Sequence, residues 1–182
     1  AQVVVLAARS TLQQKGGEVQ FDCDWTPSTR DAYFLFLRNI KASLPPGTHI
    51  SATIRLHQYK FPKQTGIPPV DRGMLMLYNT GDIDDPETRN SIFDPEDAQK
   101  YLLGAPKRYP LPLDIALPLF SWALVYREGA FWKILPERSE TELNDTLCFE
   151  KIGAAPLWRL KKGTYRSGHY LRPGDQIRLE SI

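Results

Sequence analysis

Two eight-residue segments alternate in the same way, and they constrain the fold more than any other feature of the chain. From Glu18 to Trp25 the sequence reads EVQFDCDW, with Val19, Phe21, Cys23 and Trp25 separated by Gln20, Asp22 and Asp24. Ile50 to His57 (ISATIRLH) repeats the pattern, with Ile50, Ala52, Ile54 and Leu56 against Ser51, Thr53, Arg55 and His57. A period of two places one set on each side of a strand. Between them, Ser28 offers a helix N-cap with Asp31 three residues on, and Tyr33, Leu37, Ile40 and Leu44 recur on one face until Pro45-Pro46-Gly47. This spacing predicts a helix with a capping-box start. Strand, helix and strand in that order predict a βα unit feeding a parallel sheet. Parallel strands are covered by helices, so the apolar set faces those helices. The polar set then faces the other side. A doubly wound sheet would bury those polar positions under helices, whereas a barrel lines its interior with them near the mouth.

Further elements follow the same reading. Residues 3–12 (VVVLAARSTL) predict a helix stopped by Gly16-Gly17. Lys60 to Val70 reads as a Pro/Gly-rich loop, Met74 to Tyr78 as an apolar third strand, and Leu113 to Leu119 as a fourth. Asp94-Pro95 opens a short helix that Gly104 closes. Trp122 to Tyr126 and Ala130 to Leu135 flank Arg127-Glu128-Gly129 as a β-hairpin. The tail from Trp158 is basic, carries Tyr165 and Tyr170, turns at Arg172-Pro173-Gly174-Asp175 and ends in a strand over Gln176 to Leu179.

Composition excludes several classes. No run approaches the ~18 apolar residues of a membrane span, and 42% hydrophobic with 24% charged residues is a globular balance. The net charge of +2 is not gathered into blocks that grip phosphate backbones, so no nucleic-acid partner is expected. Cys23 and Cys148 form no CxxC, so neither a disulfide framework nor a structural zinc site is written in the sequence. The chain starts at Ala1 without an initiator Met, which leads us to expect that a preceding segment has been removed.

The chemistry-bearing residues gather at the predicted strand ends. Asp22 and Asp24 share a face with Cβ atoms roughly 6 to 7 Å apart, close enough for one carboxyl to act as acid and the other as base. The plainer alternative is that they cap the next helix or pair with Arg55. Arg55 and His57 repeat the geometry one strand over, and a purely salt-bridged cluster explains them as simply as catalysis does. Asp22, Asp24 and His57 could just supply three metal ligands, but no metal or other cofactor is expected. The acidic run from Asp82 lacks the pattern of a calcium loop. Cys23 belongs to the apolar face and is not expected to act as a nucleophile. Trp25, Tyr78, Phe120 and Trp122 fall at predicted carboxyl ends of strands, where barrel enzymes build their sites; taken singly, each such residue is more often core than platform.

Asp22-Cys23-Asp24-Trp25-Thr26 resembles the strand-four DxDxE motif of chitinase-type glycoside hydrolases, and Met76-Leu77-Tyr78-Asn79 resembles their strand-six Met-x-Tyr-Asp. The phrases EVQFDCDWTPST, ISATIRLHQYK, GIPPVDRGMLMLYNTG and YPLPLDIALPLFSW resemble a family of uncharacterised bacterial proteins of the Bacteroidetes type, many of them exported lipoproteins, with glycosidase-like barrels. The likeness covers residues 18–126. It implies an α/β fold, a partial (β/α)8 TIM barrel holding about strands four to seven, with residues 1–182 as one domain and a β-hairpin insertion over 120–136. Barrel strands one to three and eight are then expected outside this chain. It also implies a glycan or oligosaccharide partner, an exported protein of the cell envelope or periplasm, Asp22 and Asp24 as the catalytic pair, and Trp25, Arg55, His57, Gln58, Tyr78, Asn79 and Trp122 as substrate-binding residues. Two positions depart from the motifs. Thr26 stands where a chitinase carries its acid glutamate, and Asn79 where it carries an aspartate. The alternative is therefore a non-catalytic envelope binding or assembly protein on a degenerate barrel.

Overall fold

The computed structural model describes residues 17–85, 88–104, 109–136 and 139–181. The helix expected over residues 3–12 lies outside them. The chain divides into two compact units, residues 1–77 with 98–117 and residues 78–97 with 118–182.

The first unit is built on a parallel sheet of β1 (Glu18–Phe21), β2 (His49–Arg55), β3 (Arg72–Met76) and β4 (Leu113–Ala116), neighbours in sequence order. The register sets Phe21 against Ala52, Ile54 against Leu75 and Leu75 against Ile115. Helix α1 (Arg30–Ser43) crosses from β1 to β2 and buries Leu37, Ile40 and the following Leu44 against Phe21, Ile50 and Ala52, the face its periodicity predicts. A second cluster on the same side joins Trp25, Ile54, Leu56, Leu75 and Tyr109. Gly73 sits beneath this side of the sheet; a Cβ there would lie 2.8 Å from both Ile54 Cγ1 and Leu113 Cδ2. Only glycine lets those two side chains close over β3.

Several boundaries differ from the sequence expectation. The helix starts one residue past the expected Ser28 cap, with Thr29 at the N-cap. The carbonyl of Thr26 receives the Thr29 and Arg30 amides at 3.1 and 2.9 Å, while Thr29 Oγ1 accepts from the Thr26 amide. All four parallel strands end earlier than expected. β2 stops at Arg55 because the Gln58 side chain accepts the Arg55 amide at 2.8 Å and turns the chain into α2 (Leu56–Lys60). The expected loop from Lys60 also contains a short helix, α3 (Pro62–Thr65). Cys23, placed by alternation on the apolar face, is exposed, because β1 ends at Phe21 and the chain leaves the sheet. Asp94 caps α4 (Pro95–Leu102) as expected, accepting the Glu96 amide at 2.8 Å.

The second unit holds an antiparallel sheet. The expected hairpin forms as β5 (Trp122–Arg127) and β6 (Ala130–Leu135), turning through Glu128 and Gly129 at φ 54 and 81. It joins β7 (Phe149–Lys151), β8 (Leu157–Leu160) and β11 (Gln176–Glu180) in the order β6-β5-β11-β8-β7. A separate hairpin pairs β9 (Thr164–Arg166) with β10 (His169–Leu171). The core of this unit includes Val125, Leu135, Phe149, Trp158, Leu171 and Ile177. No helix among the described residues is long and apolar enough to cross a membrane.

Candidate functional site

The polar side of the parallel sheet carries a row of groups that runs to its carboxyl end. Ser51, Thr53 and Arg55 alternate with the helix-facing Ala52 and Ile54, and the loop after β1 brings Asp22 and Asp24 to the same face. Thr53 Oγ1 donates to Asp22 Oδ1 at 3.0 Å, and Arg55 Nη1 donates to Asp24 Oδ2 at 3.2 Å. Two carboxylates, a hydroxyl and a guanidinium therefore share one face, as the alternation of the two strands predicts. The row changes character along its length. Ser51 and Thr53 are buried, whereas the Asp24 and Arg55 side chains keep 59% and 62% of their exposure. The Ser51 hydroxyl has no hydrogen-bond partner among the described residues. On the neighbouring strands Arg72 Nη1 pairs with Asp114 Oδ2 at 2.9 Å from β3 to β4, level with Ser51 and Thr53 rather than with the carboxyl end.

Three of the expected residues in this unit have other roles. Trp25 is 6% exposed, donates Nε1 to the Thr65 carbonyl at 2.8 Å and stacks on Tyr33 at 5.6 Å, so its indole is core. His57 lies in α2, two residues beyond the end of β2, with its exposed ring 5.1 Å from that of Phe61. The strand position expected beside Arg55 does not exist. Gln58 is buried and spends its side-chain carbonyl on the Arg55 amide, which fixes where Arg55 leaves the sheet.

Tyr33 belongs to this region, although its place on the helix face reads simply as core in the sequence. Burial chiefly, with the neighbouring Cys23, Asp22 and Asp24 adding to it, pushes the phenol well above its ordinary value. It stays protonated. Among the described residues no group of three His, Cys, Asp or Glu side chains has the placement to hold a metal.

The remaining expected residues lie in the second unit. Asn79 is exposed at φ 53, a left-handed backbone that Asn tolerates better than most residues, and its amide bonds the Ile92 carbonyl at 2.6 Å. Tyr78 meets Phe120 edge to face at 6.1 Å, and Phe120 lies 5.2 Å from Trp122. The Trp122 indole donates Nε1 to Glu180 Oε2 at 2.9 Å. Glu180 is 3% exposed and is satisfied on both oxygens: Oε2 also accepts from the Ser91 amide and hydroxyl, and Oε1 from Arg178 Nε at 2.9 Å. This carboxylate anchors the aromatic cluster. Nothing in the local sequence QIRLESI marks it, since strand pairing brings Trp122 to it and the loop around Ser91 meets it only in the tertiary structure.

As chemistry, the row at the carboxyl end offers charged acceptors at Asp22 and Asp24 and a charged donor at Arg55. Such groups form charge-assisted hydrogen bonds, which are stronger than neutral ones. Arg55 holds Asp24 in an ion pair at 3.2 Å.

No protein-family model matches the chain. No curated protein matches it by sequence. Among solved structures the chain is similar to the Bacillus cereus spore cortex-lytic enzyme SleL, with a TM-score of 0.49 and 19% sequence identity over 98% of this chain and 41% of that one. The chain thus spans about two fifths of that enzyme's length.

Proposed function

We propose that the protein acts on or recognises a glycan at the carboxyl ends of β1 to β3, with Asp22, Asp24 and Arg55 binding the sugar. The observation that carries this reading is the pair of couplings Thr53–Asp22 and Arg55–Asp24, which array two carboxylates and a guanidinium on the polar face of a parallel sheet. Parallel βα folds place ligand sites at this end of their strands. Within this proposal, β1 to β4 are a segment of a glycosidase-like barrel, about its strands four to seven, and chain outside residues 1–182 pairs with the open edges of β1 and β4. An exported protein of the cell envelope follows from the same resemblance of residues 18–126.

Hydrolysis and recognition ask different things of Asp24. The Arg55 contact favours recognition, because general acid catalysis needs a carboxyl that keeps its proton. Thr26, in place of the motif glutamate, favours the same reading. The experiment is a glycan panel screened for binding and for turnover with the full-length protein and its Asp24→Asn variant. Loss of turnover with affinity retained supports the hydrolase, and loss of affinity without any turnover supports the binding protein. Unchanged binding and turnover on every glycan would remove both.

A further inference from the structure

The β9–β10 hairpin turns through Ser167 and Gly168 at φ 47 and 77, the left-handed pair that a two-residue turn requires. It sets Thr164 against Leu171, Tyr165 against Tyr170 and Arg166 against His169. Alternation sorts these pairs onto two faces. One face is taken up by packing: Leu171 is fully buried, the Arg166 guanidinium lies 5.3 Å from the Phe149 ring centre, and His169 meets Trp132 edge-on. The other presents Tyr165 and Tyr170, 72% and 47% exposed, with ring centres 5.2 Å apart.

A cross-strand aromatic pair steadies a hairpin by itself, but two further features accompany this one. A Cβ at position 163 would collide with the Tyr170 hydroxyl oxygen and come within 2.8 Å of its Cζ, so the bare backbone of Gly163 is the bed on which that ring lies. Charge is the second feature. Residues 152–174 contain Arg159, Lys161, Lys162, Arg166 and Arg172 and no Asp or Glu, leaving 18 basic against 21 acidic side chains in the rest of the chain. Lys161, Lys162 and Arg172 are exposed, and none forms an ion pair among the described residues.

We infer that the outer face of the β9–β10 hairpin is a docking surface for an acidic polysaccharide. The electron-rich faces of Tyr165 and Tyr170 take the C–H faces of successive sugar rings, while Lys161, Lys162 and Arg172 meet the carboxylates that such a chain repeats. The surface is distinct from the Asp22–Asp24 row. The choice of a glycan among polyanions rests on the function proposed above, and the test separates the two.

The test is native electrophoresis of the full chain through gels containing alginate, with dextran gels as the neutral reference. Alginate retards the protein, and added salt relieves the retardation. Tyr165→Ala with Tyr170→Ala weakens binding about tenfold, as does Lys161→Gln with Lys162→Gln. Tyr165→Phe with Tyr170→Phe keeps the rings and the affinity. The Asp22–Asp24 row is tested separately by the glycan panel above, so failure of one site is not read as failure of the other. Equal retardation of wild type and both double variants overturns the inference. So does binding to single-stranded DNA or to phosphatidylglycerol vesicles as tight as to alginate.

Discussion

The hydroxyl of Thr53 donates to Asp22 Oδ1 at 3.0 Å across the β1–β2 pair. Thr53 is 6% exposed, while Asp22 is on the surface, so the bond links the buried part of the polar row to its open end. The next residue on that face of β2, Arg55, repeats the arrangement with Asp24 in the open. Together the two contacts orient both carboxylates toward the end of the sheet.

Asp24→Asn separates function from stability. Because the Asp24 and Arg55 side chains are 59% and 62% exposed, their pair contributes at most ~1 kcal/mol to folding. Urea unfolding of the variant therefore shifts little. Glycan affinity, by contrast, falls by about 1 to 3 kcal/mol if Asp24 accepts a sugar hydroxyl, and a hydrolytic rate falls at least ~10²-fold if it acts as acid or base. A large loss of stability would instead make the pair structural.

Glu180→Ala removes a buried carboxylate that receives Ser91, Trp122 and Arg178. Leaving Arg178 and these donors without it is expected to destabilise the second unit by about 3 to 5 kcal/mol. Thermal melts report the loss. A melting temperature within a degree of wild type would contradict the anchoring role.

Acid weakens the second unit through Asp175. Burial of its carboxylate opposes ionisation, but Arg127, which it meets in two bonds of 3.0 and 2.7 Å, and the Arg172 amide outweigh burial and lower the pKa below the ordinary 3.8. A folded value below the unfolded one means the stabilisation is complete above pH ~3.8 and is lost as pH falls through the lowered folded value. Asp175→Asn should flatten that part of the stability profile, measured by denaturant titration between neutral pH and pH ~2. An unchanged acid limb would assign the effect to other carboxylates.

Gly73→Ala tests the packing of the parallel sheet. Its new methyl meets Ile54 Cγ1 and Leu113 Cδ2 at 2.8 Å, and overpacking of this kind destabilises by ~1 to 3 kcal/mol. Pairing it with Leu113→Ala relieves one of the two collisions. If the double variant lost the full sum of the two single effects, the collision would not be the cause.

Legibility followed the range of the physics. The period-two alternation of residues 19–25 and 50–57 and the 3.6-residue period of Tyr33, Leu37 and Ile40 are local, so the strand–helix–strand unit, its parallel pairing and the shared face of Asp22, Asp24 and Arg55 could be read directly. The Glu128-Gly129 hairpin was legible for the same reason, since its left-handed turn needs residues that tolerate positive φ. The hairpin through Ser167 and Gly168 was not read, because three-residue strands are too short to show a period.

What the sequence determined by itself is which face of β1 and of β2 is polar, because side chains within a strand alternate whatever the strand packs against. Tertiary structure decided where each strand stops and which polar residues meet. Gln58 ends β2 by taking the Arg55 amide, which moves His57 onto a helix and out of the row. Thr65, forty residues on, supplies the carbonyl that holds Trp25 in the core. Glu180 reaches Ser91 across 89 positions of chain. Such contacts depend on where the backbone lies in space, and no spacing between neighbours in the sequence encodes that.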